Sequence, residues 1–184
     1  MKYFILNLRF WLLGNIKKYL PFLSNNIRTT TSIITINNKF GTVEKETIKY
    51  LKFNIVENEI YWLQKLNNFE HTPNIINHNK NKITLSYSGE PITTDNLPEN
   101  WEVQIKIILN KLIDINCSHN DIKPTDLLIL NKKIMLIDFQ WANKINKQIP
   151  SDWPKSIGGE YKHPEKFDDS YSIYKSIGFI KSSK

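Results

Sequence analysis

Apolar residues along the chain fall into short runs with two different periods. Across residues 54–67, Val56, Ile60, Leu63 and Leu66 recur at three- and four-residue intervals, which predicts a helix with one inward face. From Pro98 to about Ile115, Trp101, Ile105, Ile108, Leu109, Leu112 and Ile115 repeat that spacing and predict a second helix. The β-branched runs Ser32–Ile36, Thr42–Glu46 and Thr47–Leu51 predict strands, with Asn37-Asn38-Lys39-Phe40-Gly41 as the turn between the first two. Two more short strands are expected near Ile75–His78 and Ile83–Tyr87, and another two at Leu127–Leu130 and Ile134–Ile137. Ser88-Gly89-Glu90-Pro91 reads as a connector and residues 24–31 as a linker. The chain shows neither internal repeats nor strict βαβ alternation. A β-rich part with one helix (residues 32–87) precedes a mainly helical part (residues 88–184), an α+β order of elements.

Residues 1–31 stand apart. Ile5, Leu8, Leu12, Ile16, Tyr19 and Leu23 have helical spacing, and Pro21 ends the pattern. Asn7, Arg9, Asn15, Lys17 and Lys18 interrupt it too often for a membrane-spanning helix. Two expectations remain open. The segment packs on the β-rich part as an extra helix, or residues 1–23 make peripheral contact with an anionic membrane. The second rests on Lys2, Arg9, Lys17, Lys18 and Arg28, which accompany Phe4, Phe10, Trp11 and Phe22 without a single acid.

Charge sharpens this division. The 184 residues carry a net +7, yet residues 1–52 account for all of it and residues 53–184 balance to zero. The basic character therefore belongs to one end of the chain. With only two arginines, Arg9 and Arg28, and no legible recognition module, a nucleic-acid partner is disfavoured. The single Cys117 excludes a disulfide framework and a thiolate zinc site. With no signal-cleavage pattern, a reducing cytoplasm is the expected setting, at the inner face of a membrane if the N-terminal segment binds one.

The chemistry concentrates in His119-Asn120-Asp121-Ile122-Lys123-Pro124-Thr125-Asp126-Leu127-Leu128 and in Leu136-Ile137-Asp138-Phe139-Gln140. The two stretches follow a predicted helix and enclose a predicted hairpin. This arrangement resembles the catalytic loop and metal-binding motif of the protein-kinase-like superfamily. The resemblance covers roughly residues 32–177 and implies a compact two-lobed fold with a truncated C-terminal lobe. It further implies an ATP- and Mg²⁺-dependent phosphotransferase acting on a hydroxyl acceptor, either protein Ser/Thr or a small molecule or glycan. Asp121 would accept or orient the hydroxyl, Lys123 would neutralise the γ-phosphoryl, and Asp138 with Asp126 would hold the metal. Thr47-Ile48-Lys49-Tyr50-Leu51 is similar to the strand whose lysine holds the α- and β-phosphates, with Lys45 and Lys52 competing for that role. Glu59 lies where the family's helix places that lysine's partner. Tyr87 and Ser88 fall at the adenine hinge, and Gly41 is the one glycine placed to serve the first hairpin. Gly158–Glu165 resembles the close of an activation loop, and Asp169 matches an acid that braces the catalytic loop.

The departures from the family pattern also bear on function. A G-x-G-x-x-G loop is missing. Asn120 stands where an arginine would bind a phosphorylated activation loop, so regulation by that route is not expected. Asp126 replaces a metal-ligating Asn and is read either as an oxygen ligand or as a loop cap. Gln140 replaces the glycine after Asp138-Phe139. His119 is read as a packed scaffold residue rather than a base. Together these departures motivate an alternative, a pseudokinase scaffold that binds nucleotide without turnover.

Overall fold

Alternating β-branched residues and two amphipathic helices build the frame of the protein. In a computed structural model, which describes residues 26–29, 31–47, 54–151 and 153–182, the fold is α+β. Strands β1 (Asn26–Arg28), β2 (Ser32–Asn37), β3 (Thr42–Thr47), β4 (Ile75–His78) and β5 (Lys82–Ser86) form one antiparallel sheet in the order β1-β2-β3-β5-β4. Helix α1 (Ile55–Lys65) follows β3 in sequence. Its start is set by Asn54, whose side chain accepts from the Glu57 N–H at 3.2 Å.

After β5 the chain becomes mainly helical. Short strand β6 (Glu90–Pro91) leads to helix α2 (Trp101–Asp114), and β7 (Cys117–Ser118) precedes the loop at His119. The hairpin β8 (Leu127–Leu130) and β9 (Lys133–Leu136) pairs with β6, while β10 (Asn143–Lys144) pairs with β7. Helix α3 (Asp169–Ser182) ends the described chain.

One apolar core joins these parts. Val56, Ile60 and Leu63 of α1 and Ile83 of β5 share it with Ile105, Ile108 and Leu112 of α2, and it continues through Leu127, Ile134, Leu136 and Phe139 to Ile173 and Ile177 of α3. Each fully buried Ile or Leu side chain contributes about 1.5–3 kcal/mol relative to exposure. A smaller cluster of Ile55, Trp141, Trp153 and Ile157 fastens the long segment after β10 to the start of α1.

Several expectations need correction. Residues 24–31 are not simply a linker, because β1 pairs with β2 (Ile27 opposite Ile34). A three-residue edge strand is held by backbone hydrogen bonds and leaves no side-chain period to read. Ser88–Pro91 is also more than a connector. Gly89 has φ +96, and a Cβ there would lie 1.9 Å from the Ile129 carbonyl oxygen, so only glycine lets β6 approach β8. Of the strand expected at Thr47–Leu51, only Thr47, the last residue of β3, is described, and residues 48–53 lie outside the described residues. The N-terminal helix expected over residues 3–23 also lies outside them. Among the described residues, no helix is long and apolar enough to cross a membrane.

Cys117 sits in this core, 1% exposed, and its thiol is pushed up by burial and by the nearby Asp169 carboxylate. A thiol that is both hidden and un-ionised reacts only when the structure opens. Labelling with a thiol-disulfide reagent should therefore run at least about a hundredfold slower in native protein than in urea. Comparable rates in the two conditions would show that the β7–β10 region is not packed as described.

Candidate active site

The structure gathers six charged side chains from four parts of the fold. Lys45 lies in the middle of β3, directly opposite Ile83 of β5. Opposed residues of paired strands point to the same face, so Lys45 turns inward with the wholly buried Ile83. Its ammonium nitrogen is 3.0 Å from both carboxylate oxygens of Glu59 on α1 and 2.6 Å from Oδ1 of Asp138. Glu59 shares the inward helix face with Val56, Ile60 and Leu63. Asp138 follows β9 with φ +71 and ψ +60, a left-handed conformation that Asp tolerates better than most residues.

Burial opposes the charge on Lys45, but Asp138 and Glu59 outweigh it and hold the ammonium above its ordinary value. Burial pushes the Glu59 carboxyl up against the pull of Lys45. For Asp138 the same penalty is overcome by Lys45 and then Lys123, which hold its carboxyl down at about 2.

The second half of the cluster lies on the loop after β7. Lys123 donates from Nζ to Asp121 Oδ2 at 2.8 Å and lies 3.2 Å from Asp126 Oδ2. Asp126 closes the tight turn Pro124–Asp126 and accepts from the Lys123 backbone N–H at 3.2 Å. It is therefore a loop cap, while its carboxylate still faces the cluster. Burial raises that carboxyl to about 8, with Lys123 pulling the other way and Asp138 and Asp121 adding to the rise. The remaining oxygen of Asp121 accepts from the Gly158 N–H at 2.6 Å. Gly158 has φ +76, and a Cβ would stand 2.8 Å from that of Lys162. A side chain is excluded at the point where the later segment meets Asp121.

The loop itself is fixed from behind. Asp169 of α3 accepts from the backbone N–H groups of His119 (2.7 Å) and Asn120 (3.0 Å). The Asn120 side chain, in left-handed backbone at φ +67, donates to the Trp141 carbonyl at 2.8 Å and accepts from Ser118 Oγ at 2.8 Å. His119 is wholly buried with its ring 4.7 Å from that of Phe139, and its Nε2 lies 3.0 Å from the Ile137 carbonyl oxygen. Burial holds its pKa low, which suits a neutral scaffold residue.

Not every residue singled out from sequence joins the cluster. Lys49, expected to partner Glu59, lies outside the described residues, and Lys45 occupies both Glu59 oxygens. Gly41 (φ +59) sits in the β2–β3 turn, at the far end of β2 from the cluster, where its carbonyl accepts from the Tyr87 N–H at 2.9 Å. The end of the sheet nearer the cluster is instead the one between β1 and β2, where Thr31 and Ser32 hydrogen-bond Gln140, two residues after Asp138. Tyr87 also donates its hydroxyl to Glu90, and burial and that carboxylate push the phenol up to about 12. Ser88 is buried, with Oγ 3.4 Å from the Ser86 carbonyl oxygen.

Sequence reading missed Asn58, whose amide donates to the carbonyls of Gln140 (3.0 Å) and Ala142 (2.9 Å), and Trp62, whose indole also donates to Ala142 (3.0 Å). A polar residue beside the apolar stripe of α1 was the available signal. Two surface clefts, one of about 470 Å³ between α1 and β4 and one of about 380 Å³ beside Tyr87 and Met135, contain none of the six charged residues. Convergent acids and lysines mark chemistry better than an open groove, so the candidate site is the cluster. Comparison with known proteins returns no matching family model and no similar curated protein.

Removing one partner of a buried ion pair strands the others. Lys45→Ala should therefore cost about 3–5 kcal/mol in urea unfolding, by leaving Glu59 and Asp138 uncompensated. A larger loss for Lys49→Ala than for Lys45→Ala would show that the buried lysine has been misassigned.

Proposed function

We propose that this protein is an ATP-dependent phosphotransferase with a two-lobed, protein-kinase-like arrangement, moving the γ-phosphoryl of ATP to a hydroxyl acceptor. The observation that carries the reading is Lys45, held between Glu59 and Asp138 beside a second lysine shared by Asp121 and Asp126. Phosphoryl transfer in kinases requires a β3 lysine paired with a helix glutamate, a metal-holding aspartate and a catalytic-loop aspartate. Four residues here have the chemistry and the mutual placement those roles demand.

The donor set also suits magnesium. Among the described residues, no group of three or more His, Cys, Asp or Glu could hold a metal by itself. Mg²⁺ at such sites is bound by only one or two carboxylates together with phosphate oxygens, and Asp138 and Asp126 supply hard oxygens of that kind. Burial raises the Asp126 carboxyl, and a cation beside it would relieve the cost of its charge. Asp138 and Asp126 would hold the ion, which when bound would neutralise charge on the phosphates.

The remaining chemistry belongs to the chain. Lys45 leaves Asp138 for the α- and β-phosphates, while Glu59 keeps its ammonium oriented. Lys123 offsets charge on the moving phosphoryl. Asp121 takes the proton as the acceptor oxygen bonds to phosphorus and the bond to the β-phosphate oxygen breaks, releasing ADP. With one carboxylate oxygen fixed by Gly158 and the other by Lys123, its orientation is set before the acceptor arrives. The acceptor class, protein or small molecule, rests on the same aspartate either way.

The rival reading is a scaffold that binds nucleotide without turnover. It draws on Thr29–Ser32, which offers no glycine nest for phosphates at the end of the sheet nearer the cluster. One experiment separates the two. ATP with Mg²⁺ should raise the thermal midpoint of the wild-type protein. Asp138→Ala should abolish that rise, whereas Asp121→Asn should keep it and lose at least about a hundredfold in transfer of labelled phosphate to an acceptor panel. Wild-type stabilisation without any transfer would favour the scaffold, and no stabilisation would remove both readings.

A further inference from the structure

Gln140 occupies the position after Asp138-Phe139 and is 2% exposed. Its amide can accept two hydrogen bonds and donate two, and both ends are engaged. Oε1 accepts from Thr31 Oγ1 at 3.1 Å, and Nε2 donates to Ser32 Oγ at 3.2 Å. The side chain also lies close enough to the Glu59 carboxylate to favour its charged form. A carboxylate only accepts, so an NH₂ end turned towards Glu59 agrees with Nε2 donating to Ser32 and Oε1 accepting from Thr31. The backbone carbonyl of Gln140 accepts from Asn58 of α1 at 3.0 Å. One residue thus ties three elements to the segment carrying Asp138: the turn between β1 and β2, helix α1, and the Lys45–Glu59 pair.

We propose that Gln140 is a positioning residue. Its amide holds the Thr29–Ser32 turn and Glu59 in register with Asp138, so that the phosphate side of the site is assembled before nucleotide arrives. The inference rests on the phosphotransferase reading for its functional consequence but not for its structural one. The turn is stiffened internally as well, since Thr29 Oγ1 accepts from the Ser32 N–H at 2.9 Å and from the Thr31 N–H at 3.3 Å. A turn built this way has little backbone to offer a ligand. The pairing of β2 with β3 holds one side of it, and its contact with the segment carrying Asp138 depends on an anchor there. Gln140 is that anchor. A glycine there would leave Thr31 Oγ1, Ser32 Oγ and one side of Glu59 without this partner. Ser32 and Glu59 are fully buried, so the loss would be felt as loosening of both elements rather than replacement by solvent.

The test compares Gln140→Ala, Gln140→Gly and Thr31→Val with wild type, all as full chains. Hydrogen exchange is followed without nucleotide over the turn at 29–36, the helix at 55–63, and α2 as a remote control. Gln140→Ala should exchange at least tenfold faster in the turn and at the Glu59 end of α1, with α2 unchanged. Thr31→Val, which removes a single donor, should loosen the turn alone, and it keeps the inference testable if the Gln140 variants fold poorly. In transfer assays Gln140→Ala should raise KM for ATP about tenfold while kcat falls less than threefold, a split that general destabilisation does not give. Unchanged protection of the turn, or equal acceleration in α2, overturns the inference. Failure of the wild-type protein to bind ATP refutes the phosphotransferase reading, and the exchange result still decides the role of Gln140 by itself.

Discussion

Lys45 is the constraint on which the other placements depend. Its ammonium, 7% exposed by residue, is shared by a carboxylate from α1 and another from the segment after β9. Removing three charges from water is costly, and well-packed apolar residues in their place often stabilise a protein more. The trio is therefore poor evidence for stability and demands much of geometry. Strand β3 must keep its register on β5 so that Lys45 faces inward with Ile83. Helix α1 must start at Asn54 so that Glu59 lies on the same stripe as Val56 and Ile60. The chain leaving β9 must turn left-handed at Asp138, at a cost of order 1–3 kcal/mol for a non-glycine residue.

The loop carrying Asp121 meets its own demands without arginine or added phosphate. Two backbone N–H groups end on Asp169, and the Asn120 amide is spent on Trp141 and Ser118. Downstream, the Trp141 and Trp153 rings meet edge to face at 5.4 Å and cluster with Ile55 and Ile157. That apolar contact delivers Gly158 to Asp121 one residue after Ile157. Elsewhere such a segment could be ordered by charge. Here it is ordered by aromatic burial, which is insensitive to salt and modification.

How much of this was legible in the sequence depended on what kind of force placed each residue. The helices at Ile55–Lys65 and Trp101–Asp114 and the strands at Ile75–His78 and Leu127–Leu130 carry their own apolar period, and the sequence places them to within a few residues. Asp121, Lys123, Asp126, Asp138 and Glu59 were found as residues, and the structure brings them together. The sequence favours Lys49 over Lys45 as the partner of Glu59, but residues four apart would share a face in any extended strand, so alternation cannot separate them. The long-range approach of β3 to α1 singles out Lys45. Gly41 was misplaced because the edge strand β1 gives no pattern, and without β1 the β2–β3 turn looks like the first hairpin. The partners of Gln140 and Gly158 lie far along the chain, at Thr31–Ser32 and Asp121, and no local pattern carries such contacts.

The charge count of the cluster bears on the order in which ligands could enter. Among the described residues, Glu59, Asp121, Asp126 and Asp138 pair with Lys45 and Lys123, so with every acid ionised the acids outnumber the lysines by two. A triphosphate arriving alone would meet net repulsion from groups held in a low-dielectric surround, where charge is poorly screened. Burial pushes the Asp126 carboxyl up even with Lys123 at 3.2 Å, so the excess of acids is held against a desolvation penalty. Under the proposed reading, a divalent cation held by Asp138 and Asp126 would offset this excess and favour entry of the nucleotide. Lys45 is then released from Asp138 to meet the phosphates while Glu59 retains it. The same imbalance argues against a site for free inorganic anions, which would call for an excess of lysines instead.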